Sequence, residues 1–150
     1  EEILKNSKKY NCNITCPVDV VVAKDTQGKG KNKNINEVHN DEMILDIGPN
    51  TVSSIKQIID GSKTVLWNGP AGYFENPSFQ YGTKKILEII SKKTESDKIF
   101  SVAGGGETVA AINKFKKLNS FTFVSTAGGA FLEYLEGKTL PGINALNQNV

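Results

Sequence analysis

The sequence predicts an α/β domain with a mainly parallel sheet covered on both faces, and three observations predict it. Five short apolar, β-branched runs read as strands, and their nearly continuous apolar character suits strands packed on both sides. Helical patterns separate the later runs, the alternation of a parallel-sheet fold. The chain has 150 residues, 38% hydrophobic and 23% charged, which suits one domain with a sizeable core.

The elements follow in order. Glu1-Glu2-Ile3-Leu4-Lys5 reads as the interior of a helix. With Glu1 in place of Met, this is expected of a chain cut from a longer protein. The strand runs are Pro17–Ala23, Met43–Ile47, Thr64–Trp67, Ile99–Ala103 and Phe121–Thr126. A helix over 50–60 places Val52, Ile55 and Ile59 on one stripe, with Asn50 positioned to cap. A second, over 77–92, aligns Phe79, Thr83, Ile86, Leu87 and Ile90, and Asn76-Pro77 gives it a cap and an N1 proline. A third, over 106–118, carries Thr108, Ala111, Ile112, Phe115 and Leu118 on one face. A short fourth runs over 129–136 and stops at Gly137. The polar segment Lys24–Glu42, with a lysine run at Lys29, Lys31 and Lys33, reads as a solvated connecting loop.

Charge and chemistry-bearing residues exclude several classes. A net charge of +2 from 18 basic and 16 acidic residues gives no argument for nucleic acid or an anionic membrane. No apolar run approaches the roughly 18 residues that span a bilayer. Cys12 and Cys16 with one histidine make no zinc set at a usual spacing. The two cysteines are expected to be buried or half-buried free thiols in a reducing, cytoplasmic setting. His39, in the polar segment, is a weak catalytic candidate. The sequon Asn13-Ile14-Thr15 follows no signal peptide and reads as a chance match.

The glycines are more informative. Three strand ends run into glycine-rich turns: Trp67-Asn68-Gly69-Pro70-Ala71-Gly72, Ala103-Gly104-Gly105-Gly106 and Thr126-Ala127-Gly128-Gly129, and the last two enter helices. In open parallel sheets the carboxyl ends of strands line the ligand crevice. Glycine lets backbone N–H groups approach a ligand, and a helix start adds unpaired donors and a positive dipole end. The combination favours an anion, most often phosphate. The alternative is that the glycines only make tight turns. There is no P-loop motif, and Val109 weakens any dinucleotide fingerprint at Gly104-x-Gly106. Glu107 is either a dipole-compensating acid or an oxygen ligand for Mg²⁺ riding on phosphates. Thr108 offers its hydroxyl to phosphate or caps the helix. Glu75 caps the following helix or accepts hydrogen bonds from ribose hydroxyls. Tyr73 and Phe74 are core residues or the wall of an adenine pocket.

These blocks resemble one family. Leu66–Glu75 (LWNGPAGYFE), Ser101–Ala111 (SVAGGGETVAA) and Val124–Leu140 (VSTAGGAFLEYLEGKTL), with Pro17–Ala23 and Leu45–Asn50 (LDIGPN), are similar in kind and order to segments of phosphoglycerate kinases. The resemblance covers essentially the whole chain and is weakest across Lys24–Glu42. It implies the C-terminal, nucleotide-binding portion of a kinase with two Rossmann-like domains, three-layer αβα in architecture. The N-terminal domain of such a kinase binds 3-phosphoglycerate or 1,3-bisphosphoglycerate. The C-terminal one binds Mg-ADP or Mg-ATP.

The resemblance implies roles by position. Glu75 would hold the ribose, and Asn68, Pro70, Gly72 and Phe74 would line the nucleotide site. Gly104, Gly105, Gly106 and Thr108 would cradle phosphates. Glu107 would ligate Mg²⁺, and Gly128 and Gly129 would steady the transferring phosphoryl group. The family usually has Asp where this chain has Glu107, and Gly where it has Ala127. The resemblance also implies that the family's N-terminal domain and the first two strands of its nucleotide domain lie outside this chain. The strand at 17–23 is then expected to lack neighbours, the fold to be marginal in isolation, and the tail 141–150 to be loose. The intact kinase is expected to be a monomer. A nucleotide-binding module or inactive fragment without kinase activity is the alternative.

Overall fold

The computed structural model describes residues 1–147. Helix α1 (Glu2–Lys9) comes first and buries no residue. Strands β1 (Asp19–Ala23), β2 (Lys31–Asn34) and β3 (Met43–Ile47) follow, then helix α2 (Pro49–Gly61) and strand β4 (Thr64–Asn68). Helix α3 (Tyr81–Glu95) leads to β5 (Phe100–Gly104), α4 (Gly106–Lys114) and β6 (Phe123–Val124). Helices α5 (Gly129–Leu135) and α6 (Pro141–Asn147) end the described chain.

The expected parallel ladder is present in the second half. Strands β4, β5 and β6 form a parallel sheet in that order, with Thr64 opposite Phe100 and Asn68 opposite Gly104. The first half differs from expectation. Strand β1 does not lack neighbours: it is the centre of a separate antiparallel sheet, β2-β1-β3. Its second partner comes from the segment read as a connecting loop. Lys31–Asn34 contains no apolar residue, so hydropathy carries no strand signal there. What the strand supplies is backbone pairing, from Asp19↔Asn34 to Val22↔Lys31, along a valine-rich centre whose Val20 and Val22 are 1% exposed. The lysine run belongs to this structure too. Lys33 is tucked against Glu42, ammonium to carboxylate at 2.8 Å, and that hydrogen bond holds the Glu42 carboxyl below its usual range.

Helix starts are satisfied from a distance. Asn50, expected to cap, is inside α2, and Gly48 is the N-cap residue. The acceptor is Asp19 on β1. Its carboxylate takes the Asn50 N–H at 2.9 Å, the Thr51 N–H at 2.7 Å and the Thr51 hydroxyl at 2.7 Å. Burial pushes the Asp19 carboxyl up. Hydrogen bonds from the Thr51 side chain, the backbone N–H groups of Asn50 and Thr51, and Asn32 outweigh it and leave the group below its ordinary value. Asp46 on β3 serves α3 in the same way, taking the Gly82 N–H at 2.8 Å and the Ile47 N–H at 2.9 Å. Here burial dominates and raises the carboxyl above its ordinary value.

The predicted helix stripes build the core. Val52 and Ile59 of α2, Ile86, Leu87 and Ile90 of α3, and Ala111 and Ile112 of α4 join Trp67, Phe74, Ala103 and Phe121 in one buried cluster. Trp67 stacks on Phe121 with centroids 6.0 Å apart. Asn76 does cap, accepting the Ser78 N–H, but at a short 3-10 turn ahead of α3. Gly137 ends α5 as expected, with Gly137 N–H on the Tyr134 carbonyl and Lys138 N–H on that of Glu133.

Three further expectations change. The second face of the parallel sheet is covered only in part: the Phe131 ring of α5 lies on Gly104, whereas Leu66, Phe100 and Phe123 stay about half exposed (45%, 52% and 55%), and the face carrying Trp67 and Ala103 is buried. A continuous apolar run hides this asymmetry. Cys12 and Cys16 are free but exposed, in a segment joining α1 to β1 whose residues 10–18 are all exposed. The tail expected to be loose is helical over Pro141–Asn147, exposed throughout, and residues 148–150 lie outside the described residues.

Candidate functional site

The parallel register fixes where the glycine turns meet. Asn68 and Gly104 end their strands side by side, and the Ser125 N–H on the Ala103 carbonyl at 2.8 Å continues the pairing toward the third turn. The turns after β4, β5 and β6 therefore open together at the carboxyl end of one sheet. This brings together Asn68, Gly104, Gly105, Gly106, Glu107, Gly128 and Gly129. The Asn68 amide lies against Gly105, and the Phe131 ring of α5 closes so tightly on Gly104 that no side chain fits there.

The turn conformations explain the residue type. Gly105 (φ +90) is the N-cap of α4, and Gly128 (φ +56) is the N-cap of α5, both in the region that L side chains avoid. Residues from Gly106 and Gly129 onward then present helix-start N–H groups to solvent. Glu107, in the first turn of α4, is exposed and has no hydrogen-bond or ion-pair partner among the described residues.

Two buried hydroxyls hold the Gly69–Gly72 turn. Thr83 of α3, 0% exposed, accepts N–H groups from Ala71 at 3.1 Å and Gly72 at 3.2 Å. Thr108 of α4, also 0% exposed, accepts the Gly69 N–H at 2.6 Å. The hydroxyl expected at phosphate thus ties the first turn to the helix behind the second. Sequence reading named Thr108 for the crevice and Thr83 only for the core; nothing in a helical stripe shows which backbone N–H its threonine will meet.

The remaining expected residues lie to one side. Pro70 and Gly72 line a cavity of about 380 Å³ with Ile44, Leu45, Asp46 and Tyr73. Glu75 is exposed and lines a second cavity of about 290 Å³ with Gln27, Tyr73, Asn76 and Pro77. Phe74, read as core or as pocket wall, is 4% exposed and belongs to the core cluster. His39 is exposed, distant in sequence from every turn, and contributes its backbone N–H to Glu42.

The donor set suits magnesium on phosphates better than a protein-only metal cage. Among the described residues no three His, Cys, Asp or Glu side chains gather to hold a metal. One free carboxylate at a helix start beside unpaired backbone amides is an arrangement Mg²⁺ accepts when it arrives with phosphates, since it keeps waters and takes other oxygens from them. Glu107 is the residue that would hold it. No helix of the described residues is long and apolar enough to cross a membrane.

Known proteins resemble this chain along nearly its whole length. The profile of the family described as Phosphoglycerate kinase matches residues 1–138. The phosphoglycerate kinase of Xanthobacter autotrophicus is 50% identical over 149 residues, which is 98% of this chain and 38% of that protein. That of a Caulobacter species is 46% identical, covering 97% of this chain and 37% of its own. The structure of phosphoglycerate kinase from Coxiella burnetii superposes with a TM-score of 0.87 at 39% identity, over 99% of this chain and 37% of that one. The enzyme from Pyrococcus horikoshii gives 0.76 at 29% identity, over 97% and 37%. The chain thus spans less than two fifths of the length of these relatives.

Proposed function

Because the chain belongs to the phosphoglycerate kinase family, we propose that it is the Mg-ADP/Mg-ATP-binding portion of a kinase that moves a phosphoryl group between 1,3-bisphosphoglycerate and ADP. The observation that carries this reading is the convergence of three glycine turns at the carboxyl end of the parallel sheet, two of them starting helices. Phosphoryl transfer needs little covalent chemistry from the protein. It needs positioning and neutralisation of spread negative charge. Helix-start N–H groups supply fixed dipoles without a titrating group, which agrees with the absence of a histidine or cysteine at the turns.

In this reading Gly104, Gly105 and Gly106 offer N–H groups to the nucleotide phosphates. Gly128 and Gly129 do the same for the transferring phosphoryl group. Asn68 orders the second turn from behind. Pro70 and Gly72 border the base, and Glu75 accepts the ribose hydroxyls. Magnesium, when bound with the nucleotide, supplies further charge neutralisation, and Glu107 would hold it. The phosphoglycerate side of the reaction belongs to the part of the relatives that this chain does not span. The reading places the protein in the cytoplasm, as a monomer.

The test is ATP formation from 1,3-bisphosphoglycerate and ADP by a protein carrying this chain within the full length of its relatives. Turnover that falls by two orders of magnitude or more when Gly129 is replaced by proline supports the reading; proline suits this first helical position and removes its N–H outright. No turnover from the full-length protein refutes it.

A further inference from the structure

We propose that Lys114 is the positioning residue for Glu75, fixing the direction in which its carboxylate leaves the backbone; this rests on the reading of Glu75 as the ribose acceptor. Lys114 is the last residue of α4, at the end opposite the triple-glycine turn and outside the Ser101–Ala111 segment. Its ammonium donates to the Phe74 carbonyl at 2.6 Å and to the Glu75 carbonyl at 3.1 Å. It also sits over the rings of Phe74 and Phe115, at 5.7 Å and 5.9 Å from their centroids.

Those two carbonyls are a particular pair. The Phe74 carbonyl belongs to the peptide plane before the Glu75 Cα, and the Glu75 carbonyl to the plane after it. Peptide planes are rigid, so a residue's direction is set by the two dihedrals between its flanking planes. One ammonium holding both planes therefore fixes the Cα–Cβ vector of Glu75. The neighbours complete the clamp. The Phe74 ring is buried in the core on one side. Asn76 on the other side donates to the Thr26 carbonyl at 2.7 Å and accepts the Ser78 N–H at 2.9 Å. The Glu75 carboxylate itself is exposed and has no partner among the described residues. A free carboxylate on a pinned backbone is a preorganised acceptor.

The placement on α4 adds a second consequence. The same helix starts at the triple-glycine turn and ends at Lys114, about 12 Å away at the standard helical rise. One rigid rod thus ties the phosphate turn to the carboxylate, so the phosphates and the ribose of a nucleotide are read against one element.

The test is calorimetric titration of a protein carrying this chain within the full length of its relatives with ADP and with 2′,3′-dideoxy-ADP, both with magnesium, for the native sequence, Lys114→Met and Lys114→Arg. The native chain is expected to prefer ADP roughly tenfold, as one charge-assisted hydrogen bond allows. Lys114→Met should lower ADP affinity to that of the dideoxy nucleotide and leave the latter unchanged. Lys114→Arg, which keeps the charge and the donors, should restore most of the preference. Hydrogen exchange at the Phe74 and Asn76 amides, bonded to the Gly72 and Tyr73 carbonyls, should speed up in Lys114→Met while that of the core helices holds, which separates a local release from unfolding. A Lys114→Met chain that keeps its preference for ADP, or loses affinity for both nucleotides equally, overturns the role of Lys114 alone. A native chain that binds but shows no preference, or binds neither nucleotide, overturns the ribose reading of Glu75 and this inference with it.

Discussion

Replacing Thr83 with valine puts the structure's account of the first glycine turn against simple burial. Thr83 is 0% exposed and its hydroxyl is the acceptor for two N–H groups, those of Ala71 and Gly72. Valine has the same shape and one more apolar group, so burial alone predicts a neutral or stabilising change. The hydrogen bonds predict the opposite. The two N–H groups are partly buried, so each left without a partner costs toward the lower half of about 1–3 kcal/mol; two share this acceptor, and Thr83→Val should lose about 3 kcal/mol. Thr83→Ser keeps the oxygen and loses one buried methyl, about 1 kcal/mol. The assay is urea unfolding of the two variants beside the native chain. With a slope of about 2 kcal/mol/M, the valine midpoint should lie roughly 1 M below the serine midpoint, slopes unchanged. A valine variant at or above the serine variant would refute the claim that this hydroxyl holds the turn.

Other expectations follow from the two remote caps. Asp19 has its carboxyl lowered by folding, so it contributes stability above its unfolded value, and that contribution is lost as pH falls through the lower, folded value. Asp19→Asn should therefore flatten the acid side of a stability profile below about pH 4, besides costing about 1–2 kcal/mol at neutral pH as a weakened cap. Asp46 has its carboxyl raised by burial, so it stabilises below its unfolded value and loses that contribution as pH rises through the folded one. Asp46→Asn should remove that decline while keeping an acceptor for the Gly82 N–H; a stability profile unchanged in shape would contradict the assignment. Trp67→Phe, which shortens the stack on Phe121 at the centre of the core, should cost about 1–2 kcal/mol in the same unfolding assay.

How much was legible in the sequence differs by residue. The glycine turns were legible because a strand that ends in two or three glycines before a helix has few other uses, and Gly105 and Gly128 do adopt positive φ there. The stripe Thr83, Ile86, Leu87 and Ile90 was legible because helical period and burial coincide, and all four are buried in α3; Phe79, read with them, is buried too but from the 3-10 turn ahead of the helix. What escaped was pairing at a distance. Asp19 caps a helix that starts thirty residues later, and Lys114 reaches back forty residues to two carbonyls. No local pattern encodes such partners, since each depends on how elements pack. Strand β2 escaped for a different reason: a wholly polar strand leaves no trace in hydropathy and exists because a valine-rich neighbour needs its backbone groups paired. For Phe74 the sequence left core and pocket wall open, and packing decides only that its ring is in the core cluster.

Thermal unfolding of this chain with and without Mg-ADP tests the central claim most directly, because a ligand that binds only the folded state must raise its midpoint. The account predicts a rise of a few degrees at a hundredfold excess over the dissociation constant, about 2.7 kcal/mol of linkage. It further predicts that the magnesium-dependent part of the rise disappears in Glu107→Ala while the transition without nucleotide stays where it was. A transition indifferent to Mg-ADP, or a rise that survives Glu107→Ala in full, would contradict a phosphate and metal site at these turns.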